Sequence, residues 1–180
     1  MDKKTPFYSF HKHNNAKLVS FAGYTMPIQY KGVIYEHHHV RSNVGVFDVS
    51  HMCQIMIRGD LAFDLVQKTT TNDVARLKDG GVQYSCMLND NAGIIDDLLV
   101  YRIASNHYML VVNASNAEKD FNWLCVNNDF NVSIQNVTKD KGLLAIQGPN
   151  AQKLLQYLTP VNLESIAYYK FKIGVFADCE

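Results

Sequence analysis

Two adjacent carboxylates interrupt an aliphatic run in "GIIDDLLVY", Gly93 to Tyr101. Successive side chains of a strand point to opposite faces, so Asp96 shares a face with Ile94, Leu98 and Val100, and Asp97 shares one with Ile95, Leu99 and Tyr101. Both faces are mostly apolar, the pattern of a strand covered on both sides. A carboxylate among hydrocarbons is costly unless it is paired, protonated or placed at a working site. The pair is therefore a candidate for accepting or holding a proton beside an uncharged ligand in an apolar pocket. The alternative is an ordinary one, in which one carboxylate meets an Arg or Lys, or both lie at a strand end in water.

Other groups offer less. Three consecutive helical residues fan out by about 100° each, so His37, His38 and His39 cannot converge on one ion. The i, i+4 pairing of a zinc helix is missing as well. These histidines are expected to be solvated or packed, with metal ligation by His37 and His39 as an outside reading. His51, in "FDVSHM", is expected to make a structural hydrogen bond. Asp48, Ser50 and His51 are neighbours in sequence, whereas members of a nucleophilic triad meet through the fold. The glycines of "KDGGVQYS" and "IQGPN" match neither a P-loop nor a dinucleotide fingerprint. Cys53, Cys86, Cys125 and Cys179 form no Cys-x-x-Cys pair, which reads as reduced, inert thiols.

Composition narrows the class. The 180 residues are 47% hydrophobic and 19% charged, as expected of a packed globular chain. Lys plus Arg and Asp plus Glu each number 17, so the chain lacks the basic field that nucleic acid attracts. "MDKKTPFYSFHKHNN" contains no long apolar segment, and no run elsewhere is long enough to span a bilayer. The expectation is a soluble, cytoplasmic protein with no membrane or nucleic-acid partner.

The elements that must position the acids follow from periodicity. "KGVIYEHHHVRSNVG" places Val33, Ile34, His37 and Val40 at helical spacing, with one histidine facing inward and Gly45 as a stop. "CQIMIR" reads as a strand, and Asp60 is placed to cap the helix of "GDLAFDLVQKTTT". "VQYSCMLN" and "GIIDDLLVYRI" form a hairpin around "DNAG". "HYMLVVNA" is a strand leading into a helix with Ser115 and Glu118 at capping-box spacing and an apolar stripe of Phe121, Leu124 and Cys125. "NVSIQNV" is a further strand. This order is an α+β, ferredoxin-like split βαβ module with an extra strand. "GLLAIQGPNAQKLLQYLT" reads as a strand and a helix opened by Pro149, pairing with the N-terminal segment around the inserted module. "YYKFKIGVFADCE" looks like a strand cut in mid-element.

Five segments, "TPFYSFHKHNNAKLVSFAGYTMPIQY", "EHHHVRSNVGVFDVSHM", "YSCMLNDNAGIIDDLLVY", "VVNASNAEKDFNWL" and "LLAIQGPNAQKLL", resemble in order and spacing the aminomethyltransferase family of the glycine cleavage system, the T-proteins. The resemblance implies a domain plan: residues 1–52 begin a central folate-binding domain, 53–138 form the inserted ferredoxin-like module, and 139–180 resume the central domain. Family members are about twice as long, which implies an N-terminal fragment with weakened folate binding of its own. The implied activity is transfer of a methylene carbon from the aminomethyl-lipoyl arm of H-protein to tetrahydrofolate, with release of ammonia and no metal. Close relatives include folate-binding proteins of tRNA modification and iron-sulfur maintenance, which is the alternative reading. The family's functional aspartate is carried onto Asp96, and its folate contacts onto Met52, Tyr84, Val111 and Asn113. Asp97, on the opposite face, is assigned to structure.

Overall fold

The computed structural model describes residues 2–179, and the chain divides into two compact units. The first comprises Met1–His51, Lys141–Ala167 and Lys172–Glu180; the second comprises Met52–Asp140 and Tyr168–Phe171.

In the first unit, strand β1 (Lys3–Lys4) precedes helix α1 (Tyr8–His13), strands β2 (Lys17–Phe21) and β3 (Tyr24–Gln29), helix α2 (Val33–Ser42) and strand β4 (Gly45–Asp48). Strand β3 lies between β1 and β2 in a three-stranded sheet. Helix α2 forms as its spacing predicts, but its start is set by Glu36 reaching back. Glu36 Oε1 accepts from the backbone N–H groups of Tyr30, Lys31 and Gly32 at 2.7, 2.6 and 3.0 Å. Those three bonds hold the carboxyl below its ordinary pKa against the opposing effect of burial. No residue of α2 is buried, so the expected inward histidine does not exist: His37, His38 and His39 are all exposed.

The second unit carries strand β5 (Cys53–Arg58), helix α3 (Ala62–Thr69), strands β6 (Gly81–Leu88), β7 (Ile94–Ala104) and β8 (His107–Val112), helix α4 (Ala117–Val126) and strand β9 (Ser133–Asn136). They form one antiparallel sheet in the order β6-β7-β8-β5-β9. Antiparallel β8 separates the mutually parallel β5 and β7, and β5 separates β8 from β9. This is the expected split βαβ plan, with β6 as the extra edge strand.

The core lies between one sheet face and the helices. Ile55, Ile57, Leu98, Val100, Leu110 and Val112 pack with Ala62, Leu65 and Val66 of α3 and Leu124 of α4. Full burial of one such aliphatic side chain contributes about 1.5–3 kcal/mol. Ala62, Leu65, Val66 and Thr69 make the i, i+3, i+4, i+7 stripe that seats α3.

Several local expectations fail for identifiable reasons. Leu61, not Asp60, occupies the N-cap of α3, with no side-chain capping bond. Asn116, not Ser115, occupies the N-cap of α4, and it too makes no capping bond; its amide is committed to an acid described below. Cys125 is exposed rather than on the apolar stripe. The hairpin between β6 and β7 forms, but its positive φ of 60° falls on Ala92, and Asn89 Oδ1 organises the turn by accepting from the N–H groups of Asn91 and Gly93.

The chain then adds strand β10 (Leu144–Gln147), antiparallel to β4 in the first unit, and helix α5 (Ala151–Gln156). Asn150 occupies the N-cap of α5 without a side-chain capping bond, and Pro149 stands one residue before it, so proline does not occupy the first helical position. Among its described residues the C-terminal stretch forms no strand and pairs through the isolated bridges Gly81↔Lys170 and Phe176↔Cys179. Tyr169, Ala177 and Asp178 have positive φ, which breaks extended pairing. Among the described residues no helix is long and apolar enough to cross a membrane.

Candidate functional site

Strand alternation separates the two acids as expected. Asp96 pairs in register with Met87, which is fully buried, and is itself 4% exposed on the face that carries Leu98 and Val100. Asp97 is exposed and pairs with Cys86, while Leu99, two residues on, pairs with both Tyr84 and Val111. Cross-strand partners share a face, so Tyr84, Val111 and Asp97 lie opposite the helices. Asn113 follows β8 at the same end.

The buried acid is saturated with donors. Asp96 Oδ1 accepts from Asn113 Nδ2 at 2.9 Å and Asn116 Nδ2 at 2.7 Å, and Oδ2 accepts from the Asn113 backbone N–H at 3.0 Å. Burial pushes its pKa up, but the bonds from Asn113, Asp120 and Asn116 outweigh it and hold the group below the usual carboxylate value. Asn116 thus donates its amide nitrogen to Asp96 from the N-cap position of α4. Lys119 donates to the Ile95 carbonyl at 2.7 Å, which fixes α4 against the same strand.

The exposed acid is held as firmly. Tyr84 Oη donates to Asp97 Oδ2 at 2.6 Å, and Asn113 Nδ2 reaches Asp97 Oδ1 at 3.1 Å and the Asp97 carbonyl at 3.1 Å. The hydrogen bond to Asp97 is the main reason the Tyr84 phenol is pushed up to about 12, so it remains a donor through the neutral range. The Tyr84 ring is 49% exposed and Val111 only 6%, while Met52 is half-buried just before β5.

Of the residues singled out in sequence, Tyr84 and Asn113 thus bond Asp97, and Val111 lies on the same face opposite Leu99. Asp96 turns to the helix side and touches this group through Asn113. The ligand-facing assignment of Asp96 meets a physical obstacle: its oxygens already accept three bonds inside the protein. Asp97 is the carboxylate left open to solvent.

One functional-grade residue escaped sequence reasoning. Asp120 is 0% exposed, and if both acids were ionised neither of its oxygens would have a donor. Burial, then the hydrogen bond and charge of Asp96, push its pKa up to about 8, with Lys119 opposing. A signal existed, because Asp120 falls in the stripe Ala117, Asp120, Phe121 and Leu124 that seats α4.

In the first unit, a second acid cluster forms at Asp48. His11 Nε2 lies 2.8 Å from Asp48 Oδ2, His11 Nδ1 lies 2.6 Å from Tyr30 Oη, and Thr5 and the Ser50 N–H donate to the same carboxylate. Ser50 Oγ bonds the backbone of Leu143, so Asp48, Ser50 and His51 form no triad. His51 Nδ1 is buried without a hydrogen-bond partner; the ring is instead held edge-on by Phe21 and Tyr24, and burial lowers its pKa. Among the described residues no group of three His, Cys, Asp or Glu side chains is arranged to hold a metal.

The sheet and its hydrogen-bonded acids define a ferredoxin-like α+β protein with a polar cluster at one strand end. The family model described as the GCVT N-terminal domain matches residues 7–180, and the chain belongs to that family. It is 53% identical over 175 residues to an aminomethyltransferase of Flavobacterium psychrophilum, covering 97% of this chain and 49% of that protein. An aminomethyltransferase of Halothermothrix orenii is 47% identical over 178 residues, covering 99% and 50%. The crystal structure of glycine cleavage system aminomethyltransferase T from Bartonella henselae superposes with a TM-score of 0.89 at 37% identity, covering 94% of this chain and 47% of that one. The chain spans about half the length of the curated relatives it matches.

Proposed function

We propose that this chain forms part of a tetrahydrofolate site in an aminomethyltransferase of glycine cleavage, which takes its one-carbon unit from lipoylated H-protein, releases ammonia and works in the cytoplasm. The family membership and the solved relative support the reaction class. The observation that carries the site is the open cluster of Asp97, Tyr84 and Asn113.

The donor set suits a pterin. Tyr84 exposes an aromatic ring beside an anionic acceptor, Met52 and Val111 supply apolar surface, and Asn113 supplies an amide. A pterin's polar edge presents N–H donors, which an exposed carboxylate accepts without a large desolvation cost. Tetrahydrofolate supplies the amines that receive the carbon. The protein's part is to orient that edge, stabilise positive charge beside it and accept a proton at an Asp97 oxygen.

Asp97 takes the ligand-facing role here and Asp96 the supporting one, the reverse of the assignment carried over from sequence. Calorimetry with tetrahydrofolate separates them. Asp97→Asn is expected to weaken binding at least as much as Asp96→Asn while leaving the thermal midpoint nearly unchanged. Undiminished binding by Asp97→Asn would sink this reading. Ammonia release from aminomethylated H-protein, measured on the longer enzyme, tests the reaction itself.

A further inference from the structure

The acid that the proposed chemistry leaves unused is Asp120, and its surroundings give it a specific role. It is fully buried on α4, facing β7. The titratable groups beside it are Asp96 of β7 and its own neighbour Lys119, whose ammonium is engaged by the Ile95 carbonyl. Two ionised carboxylates in this interior would repel each other and leave Asp120 without a donor. One proton on Asp120 converts the pair into a donor and an acceptor, which removes the charge repulsion and gives one Asp120 oxygen a partner.

We propose that Asp120 is a positioning residue for the Asp97 face, holding a proton that it donates to Asp96 and so fixing, through Asn113, the carboxylate on the far side of the sheet. The chain of contacts is continuous. Asp120 meets Asp96, Asp96 accepts from the Asn113 amide and backbone N–H, and the same amide nitrogen reaches Asp97, which also takes the Tyr84 hydroxyl. Asn113 thereby reads the charge state of the buried pair and transmits it to the open face. With Asp120 protonated, Asp96 is a single anion whose acceptors hold Asn113 in place. With Asp120 ionised, a second buried charge drives the pair apart, and Asn113 loses the geometry that clamps Asp97. The inference rests on the proposed function only for its consequence in folate binding; the shared proton stands on burial and contacts alone.

Two measurements on the full chain test it. Carbon-detected NMR titration of the aspartate carboxyls is expected to find one signal that stays protonated through neutral pH with a midpoint near 8, and to lose that signal in Asp120→Asn. Tetrahydrofolate affinity is expected to fall as pH rises through that midpoint in the unsubstituted chain and to stay level in Asp120→Asn, whose amide keeps a donor at every pH. If every carboxyl titrates below pH 5, the proposal is overturned. It is also overturned if the binding profile of Asp120→Asn follows that of the unsubstituted chain. If the chain binds no tetrahydrofolate at any pH, the functional proposal fails instead, and the NMR titration still decides the role of Asp120.

Discussion

Tyr84 donates its hydroxyl hydrogen to Asp97 Oδ2 at 2.6 Å on the sheet face opposite the helices. The bond locks the carboxylate and keeps the phenol protonated to about pH 12, leaving an exposed ring beside a fixed anion. If that ring is a stacking surface, its hydroxyl and its aromatic body are separable. Tyr84→Phe is expected to weaken tetrahydrofolate binding severalfold by freeing Asp97, and Tyr84→Ala to weaken it further by removing the ring. Calorimetry on both variants checks this; equal losses would show that the ring contributes nothing.

The two adjacent acids should differ in what they do for stability. Asp96→Ala removes the buried acceptor of three part-buried donor bonds, and a loss of about 2–4 kcal/mol is expected from urea unfolding. Asp97→Ala gives up solvent-exposed bonds and should cost less than about 1 kcal/mol. Comparable losses in the two variants would contradict the burial difference between them.

Sequence pattern carried the second unit almost entirely. Period-two alternation in β7 reports burial directly, and antiparallel pairing follows from the hairpin and strand order. The failures share a cause. Capping residues were chosen on spacing, Asp60 and Ser115, and each helix starts one residue later, at Leu61 and Asn116, whose N-caps make no side-chain bond. Alternation separated Asp96 from Asp97 and could not say which face the helices cover; that depends on α4 delivering Asp120 to one side. The C-terminal stretch has strand composition, yet composition does not provide a neighbour, and among the described residues its pairing is confined to the isolated bridges at Lys170 and Phe176. Family resemblance pointed to Tyr84 and Asn113, which share bonds with Asp97, but it took up the choice between the adjacent acids without their geometry.

Buried acids of opposite shift give stability two pH limits. Asp48 and Asp96 are held below the ordinary 3.8 in the folded chain, so they stabilise above that value, and the stability is lost as pH falls through their lowered values. Asp120 is raised from 3.8 to about 8. The unfolded chain releases that proton near pH 4 while the folded chain keeps it, so folding loses stability as pH rises from about 4 to about 8 and levels off above. Asp120→Asn removes the upper limit. Its unfolding midpoint relative to the unsubstituted chain should therefore rise between pH 4 and pH 8, and a constant offset across that range would contradict a raised Asp120 pKa.

Gly148 joins β10 to α5 and tests packing in the first unit. Its φ is +124°, and a Cβ there would strike the carbonyl oxygens of Asn43 and Val40 and lie 2.9 Å from Val44 Cα. Those atoms belong to the end of α2 and the turn after it, which Asn150 grips through its backbone N–H and its amide at 3.0 Å each. Gly148→Ala therefore has to displace backbone, and it should break the Asn43–Asn150 bonds together with the antiparallel pairing of β4 and β10. Gly23 provides the comparison, since its φ is +77° but a Cβ there meets nothing within 4 Å. Gly23→Ala should cost only the strain of a positive φ, about 1 kcal/mol, whereas Gly148→Ala should cost more than about 2 kcal/mol. Urea unfolding of the two variants compares strain with strain plus collision, and equal losses would mean that the close approach at Gly148 has no weight.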